Sequence, residues 1–251
     1  MGEKEIVEKA RKGFEESFSK KGYMESLIGD EKHLEQILKN ITVEQGYKVL
    51  DLGTGNGYIA FPLAKMNPSS DIVGLDIAVN TLIRNRERAE IEGLNNLKFV
   101  NYEGIEFPFA DNTFDCVVSR YALHHFPDIE KAFSEVSRVL KTNGQLFISD
   151  PTPNEEDKDR FVDAYMQLKD DGHVQFYTKD EFERLASTQG FELESCFMTE
   201  VIFRTNKTKE ERFPEICTGV DKSIIAGYVK IVDGQEWTTE KVLNLSFRLL
   251  S

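Results

Sequence analysis

The residues best suited to chemistry stand in one short stretch, Asp51-Leu52-Gly53-Thr54-Gly55-Asn56-Gly57. Alternating glycines permit a tight turn and let a ligand approach the backbone closely, beside the free N–H groups of a following helix. A dinucleotide-binding turn, G-x-G-x-x-G, would require glycine at position 58, where the chain has Tyr58. A carboxylate at Asp51 is also awkward next to a pyrophosphate, and useful next to an ammonium group.

A second carboxylate, Asp76, follows Asp51 by 25 residues, near the spacing at which an acidic side chain accepts hydrogen bonds from ribose hydroxyls. The segment Asn101 to Phe109 offers Glu103 to an adenine amino group and apolar side chains to its ring faces. S-adenosylmethionine combines an ammonium, a ribose and an adenine without any phosphate. Further on, Ser119-Arg120-Tyr121-Ala122-Leu123-His124-His125-Phe126 places Arg120 where it can meet a cofactor carboxylate or an acidic acceptor. Adjacent histidines on a helix point about 100° apart, so His124 and His125 are poorly arranged to chelate one metal and read as structural. His173 is the candidate general base, since its unperturbed pKa lies near physiological pH.

These residues need a scaffold that brings them to one edge. Short apolar runs at Lys48–Leu52, Ile72–Asp76, Leu97–Asn101, Phe114–Ser119 and Gln145–Asp150 alternate with amphipathic stretches at Tyr58–Met66, Val79–Glu92 and Ile129–Leu140. That alternation predicts a parallel sheet with helices on both faces, its ligand beyond the carboxyl ends of the strands. Residues 3–40 read as two helices broken at Gly22 and Gly29, the second capped by Asp30 and carrying Leu34, Ile37, Leu38 and Ile41. An acidic helix is expected from Glu155 to Lys169, with a break at Asp170, Asp171 and Gly172. Another follows the Thr178/Glu181 capping box. Phe191–Phe203 and Val242–Leu250 have strand character, and Thr208–Gly227 reads as helical.

Composition narrows the partners. Forty-four acidic against 31 basic residues give a net charge of -13, which disfavours a polyanion such as nucleic acid. The widely separated Cys116, Cys196 and Cys217 suggest neither a disulfide framework nor a zinc site. The reading is of a cytoplasmic chain with no metal, no membrane-spanning run and no leader, a monomer or homodimer.

In this order the motifs resemble the class I S-adenosylmethionine-dependent methyltransferases, of the group similar to ubiquinone and menaquinone biosynthesis C-methyltransferases. The resemblance runs from Val49 to Asp150 through Val49–Gly57, Val73-Gly74-Leu75-Asp76, Phe107–Asp115, Leu123-His124-His125 and Arg138–Gly144. It departs from the family pattern at Lys141-Thr142-Asn143-Gly144, usually Lys-Pro-Gly-Gly, and at Glu103, more often aspartate. It implies a Rossmann-like, doubly wound α/β fold with a seven-stranded sheet, mostly parallel with an antiparallel edge strand, under a lid of N-terminal and inserted helices. It places Asp51 and Gly53 against the methionine part of the cofactor, Asp76 at the ribose and Glu103 with Gly104 at the adenine, with Thr54, Gly55, Ile77 and Arg120 also among the cofactor-binding residues.

The expected organisation is one domain over residues 1–251, with a helical lid (1–45), a cofactor-binding core (46–150) and an acceptor-pocket region (151–251). Tyr23, Phe161, Tyr165, Phe176 and Phe213 would suit an apolar or aromatic acceptor. The expected reaction is in-line transfer of the sulfonium methyl to a small molecule, for which alignment supplies much of the rate. A non-catalytic cofactor-binding module and a protein methyltransferase are the competing readings.

Overall fold

The computed structural model describes residues 2–19, 31–169 and 171–250; expectations that fall on Gly22, Tyr23, Gly29, Asp30 and Asp170 lie outside them. Five apolar runs form β1 (Lys48–Leu52), β2 (Asp71–Asp76), β3 (Leu97–Asn101), β4 (Phe114–Arg120) and β5 (Leu140–Thr152), paired in parallel. β1 and β4 are almost wholly buried, as continuous apolar strands between two helical layers must be. The strand order is β3-β2-β1-β4-β5-β8-β6, where β6 (Phe191–Thr205) and β8 (Gln235–Leu249) are antiparallel to each other and β8 to β5.

Among the described residues the sheet has eight strands, not seven. The additional β7 (Val229–Val232) pairs with the start of β8. Its turn was legible: Asp233 (φ 51°) and Gly234 (φ 71°) form a two-residue Asp-Gly connection with both residues left-handed.

The α-helices among the described residues are α1 (Glu3–Ser19), α2 (Glu31–Asn40), α3 (Ala60–Met66), α4 (Val79–Ile91), α5 (Ile129–Val139), α6 (Phe161–Met166), α7 (Lys179–Thr188), α8 (Phe213–Ile216) and α9 (Lys222–Tyr228). On one face of the sheet Leu50, Leu52, Val117 and Ile148 pack with Phe133 and Val136 of α5 and Phe182 of α7. On the other, Val49, Ile72, Cys116 and Val118 pack with Ile37 of α2, Phe61 of α3 and Leu82 of α4. The expected box opens α7: Thr178 accepts the Glu181 amide and Glu181 accepts the Thr178 amide.

Two expected helices are shorter than their sequence pattern suggested. The acidic stretch from Glu155 yields only α6, because Asp157 turns inward. Its carboxylate accepts the Phe161 and Val162 amides at 2.8 and 2.9 Å and the Tyr228 hydroxyl at 3.0 Å. The region Thr208–Gly227 divides into α8 and α9, separated by Gly219 (φ 80°) and by Asp221, whose side chain caps α9 through the Ser223 amide.

Candidate active site

The parallel strands end at one edge, and the turn after β1 is built there by the β2 strand beside it. The Gly53 and Thr54 amides donate to the Leu75 carbonyl at 2.9 and 3.1 Å. Gly53 is left-handed (φ 71°), and a Cβ there would lie 2.3 Å from the Ala122 Cβ, so both conformation and space demand glycine. Across β2, a Cβ on Gly74 would come within 2.8 Å of Thr54 Oγ1. That missing side chain gives the Thr54 hydroxyl its place.

Two carboxylates fix the turn from below. Asp51, only 2% exposed, accepts the Thr54 hydroxyl at 2.7 Å and the Ala60 amide at 3.1 Å through Oδ2. Burial pushes its pKa up to about 7, against the lowering effect of those two bonds. Asp76 accepts the Ala78 amide through Oδ1 at 2.8 Å and the Gly55 amide through Oδ2 at 2.7 Å. Burial raises it as well.

Above the turn lies a cavity of about 790 Å³. Asp51, Gly53, Thr54, Gly55, Asp76, Ile77, Gly104, Arg120 and His173 all line it. Glu103 is the exception among the anticipated residues: its side chain is 85% exposed and pairs with Arg11 of α1 at 3.1 Å. α1 adds Val7, Ala10 and Phe14 to the wall.

Arg120 is held by stacking. Its guanidinium carbon lies 4.0 Å from the centre of the Tyr58 ring and 4.6 Å from that of Tyr121. The residue that breaks the dinucleotide pattern therefore supports a cation of the site. Arg120 Nε is buried and has no hydrogen-bond partner among the described residues.

Three histidines gather on the far side. His173 Nε2 lies 2.9 Å from Asp163 Oδ1, which also accepts the Phe176 amide at 2.7 Å. With the shared proton on Nε2, Nδ1 of His173 carries the free lone pair that a general base needs. His124 and His125 sit on a single 3-10 turn. His124 Nδ1 lies 2.6 Å from Asp150 Oδ1, while Asp150 Oδ2 accepts the Ala122 and Leu123 amides at 3.1 and 3.2 Å. This pair fastens the loop after β4 to the end of β5. Burial holds His124 well below the ordinary histidine range and lifts Asp150 to about 7. The His125 ring instead meets Phe14 edge-on at 4.7 Å.

The aromatic lining differs from the expectation. Phe161, Tyr165 and Phe213 pack against one another in a satellite core with Tyr228, and only Phe176 of the anticipated group whose positions are described lines the cavity. Aromatic residues at helical spacing buried each other there. Tyr121, Lys207 and Glu240 were missed. Glu240 lies in the part of β8 that precedes the apolar run Val242–Leu249, where the strand pattern is weakest.

The donor set suits a sulfonium-bearing adenosyl ligand: two buried carboxylates and an arginine line the cavity at the glycine turn. An open sheet with its ligand turn beyond β1 and an acid ending β2 defines an α/β cofactor-binding enzyme. Comparison with known proteins identifies it further. Residues 43–211 match the family described as "Methyltransferase domain". An uncharacterised methyltransferase of Bacillus subtilis, YcgJ, is 31% identical over 177 residues, 69% of each chain. A demethylmenaquinone methyltransferase of Geobacillus kaustophilus is 30% identical over 152 residues, 58% of this chain and 65% of that one. The crystal structure of YcgJ aligns with a TM-score of 0.77 at 24% identity, covering 88% of this chain and 99% of that one, and shows the shared fold.

The chain belongs to the methyltransferase-domain family. It is a class I methyltransferase, with S-adenosylmethionine as its cofactor. No helix among the described residues is long and apolar enough to cross a membrane.

Proposed function

We propose that this enzyme transfers the methyl group of S-adenosylmethionine to a small molecule enclosed in the cavity above β1, β2 and β4. The observation that carries this reading is continuity: one space of about 790 Å³ joins the Asp51/Asp76 turn to His173, Phe176 and the end of β6. That volume lies within the ordinary range of small-ligand pockets, roughly 300–1,000 Å³.

In this reading Asp51, Gly53, Thr54 and Gly55 hold the methionine part, and the Asp51 carboxylate faces its ammonium. Asp76 accepts the ribose hydroxyls, beside Ile77. Gly104 borders the adenine, and the exposed Glu103 acts only on α1, through Arg11. Arg120 meets the cofactor carboxylate. Bound S-adenosylmethionine supplies an already activated methyl group, so the chain's main task is to align the acceptor and exclude water. Where the acceptor must lose a proton, His173, oriented by Asp163, accepts it at Nδ1.

The enzyme works in this reading as one methyltransferase domain in the cytoplasm, as a monomer or homodimer, with no nucleic-acid partner. The demethylmenaquinone methyltransferase similarity supports a small organic acceptor. A screen of metabolite extracts that follows S-adenosylhomocysteine formation tests the reading. Turnover should depend on a fraction of low molecular mass. Turnover supported only by a macromolecular fraction would replace the small acceptor with a protein.

A further inference from the structure

The two edges of the sheet are unlike. β3 is five residues long and carries Lys98, the short and charged kind of edge that resists pairing with another chain. β6 runs for 15 residues from Phe191 to Thr205, without a lysine or a proline. β8 is hydrogen-bonded on both sides, by β6 on one and by β5 and β7 on the other. Among the described residues β8 is the sole strand beside β6. The register of β6 against β8 is regular from Ser195 to Thr205, beyond an irregularity between Leu193 and Ser195. Along that stretch Met198 and Ile202 are 50% and 51% exposed, and Cys196 is exposed as well. Its outer side is a row of amide and carbonyl groups open to another strand.

A strand that meets a second copy of itself across a two-fold axis runs antiparallel, and the residues facing the partner share one parity, so the axis passes through a residue. The charges choose which residue. An axis at Glu200 sets two carboxylates face to face, and one at Phe197 sets Glu194 against Glu200. One at Met198 puts Ile202 against Glu194, one at Val201 puts Arg204 against Met198, and one at Ile202 pairs only Thr199 to Thr205. With the axis at Thr199, Arg204 faces the partner's Glu194, Ile202 faces the partner's Cys196, and the paired span runs from Leu193 to Thr205. Glu194 already holds Arg248 at 2.9 Å, and Arg204 lies over the Trp237 ring at 5.0 Å. The pairing gives that carboxylate a cation from each copy.

We propose that this chain forms a two-fold dimer in which β6 pairs with β6 of a second copy about Thr199, joining the two sheets into one. On the order of ten backbone hydrogen bonds close the open edges. Cys196, Met198 and Ile202 pack across the junction, and two Arg204–Glu194 pairs fix the register. Glu200, Ile202 and Arg204 also line the cavity, so the second copy's strand flanks the rim of each site. The dimer rests on the edge alone and not on the identity of the methyl acceptor.

Sedimentation equilibrium of the full chain, kept reduced, tests it. The wild type should show a species of twice the chain mass. Arg204→Glu and Glu194→Arg should each weaken dimerisation about tenfold or more, because the symmetry sets two like-charged pairs opposite each other. Combining them swaps the charges and should restore the dimer, with circular dichroism melting to confirm that each variant is folded. Ile202→Cys, in a Cys217→Ser background and oxidised with diamide, should be trapped as a covalent dimer through Cys196, and adding Cys196→Ser should abolish the trap. This trap leaves the charges untouched and decides the matter if a charge variant fails to fold. A wild type that stays monomeric overturns the proposal and leaves the edge to an extended segment of another protein. A dimer that both charge reversals leave intact overturns it too, as does a covalent dimer that survives Cys196→Ser.

Discussion

The Asp76 carboxylate accepts the Gly55 amide at 2.7 Å, so the acid that ends β2 also holds the glycine turn that follows β1. Its other oxygen accepts the Ala78 amide. Asp76→Ala should therefore weaken S-adenosylmethionine binding about tenfold to a hundredfold, the cost of losing charge-assisted hydrogen bonds. Asp76→Asn should lose less. Titration calorimetry checks both, and unchanged affinity in the alanine variant would remove Asp76 from the ribose site.

Gly53→Ala combines a left-handed backbone with a collision at 2.3 Å against Ala122. It should destabilise the fold by on the order of 3 kcal/mol and abolish cofactor binding. The double variant with Ala122→Gly should recover part of the stability, since the clash but not the φ cost is relieved. Urea unfolding of the single and double variants decides this; no recovery would show that backbone strain, rather than the collision, dominates.

Asp51 has a pKa raised by burial from 3.8 to about 7, so the ligand-free protein holds it partly protonated near neutrality. A ligand ammonium pairs with the ionised form. Affinity for S-adenosylmethionine should rise as pH increases through about 7 and then level, and Asp51→Asn should flatten that rise. The stability sign is opposite: a raised carboxyl pKa gives a contribution that is present at low pH and lost as pH rises through about 7. The melting temperature of the ligand-free wild type should thus fall relative to Asp51→Asn across that interval. An equal pH response of affinity in both proteins would contradict the assignment.

His173→Ala should leave S-adenosylmethionine affinity intact and slow turnover about a hundredfold if proton removal from the acceptor passes through His173. Asp163→Asn should slow it less, because the imidazole remains while its orientation, set through the 2.9 Å contact, is lost. Pre-steady-state rates with the acceptor found in the metabolite screen measure both. Wild-type turnover in His173→Ala would remove His173 from proton transfer.

The parts of this site that could be read in the chain are those whose geometry is local. Glycines that need positive φ and an acid at the end of a strand announce themselves within a few residues, and Asp51, Gly53 and Asp76 stand around one turn. Arg138, distant in the chain from its partners, spans the Phe107–Asp111 segment through the carbonyls of Phe107 and Phe109 and the Asp111 carboxylate, which gives a physical reason for that stretch.

What escaped depends on distant pairings. His124 meets Asp150 only because β4 and β5 are neighbours, and Glu240 reaches the cavity only because β8 runs beyond the end of β5. Glu103 was misplaced for the converse reason. Its position after β3 is right, but the side chain turns outward to Arg11, a partner on α1 that local reasoning does not supply.

The central claim is that the Asp51-to-Gly57 turn takes S-adenosylmethionine and not a dinucleotide. Titration of the ligand-free protein with S-adenosylmethionine, S-adenosylhomocysteine and NAD, side by side in one buffer, tests it most directly. One site for each of the first two ligands, weakened by Asp76→Ala, and no heat from NAD is the predicted result. Binding of NAD, with neither adenosyl compound bound, would contradict it.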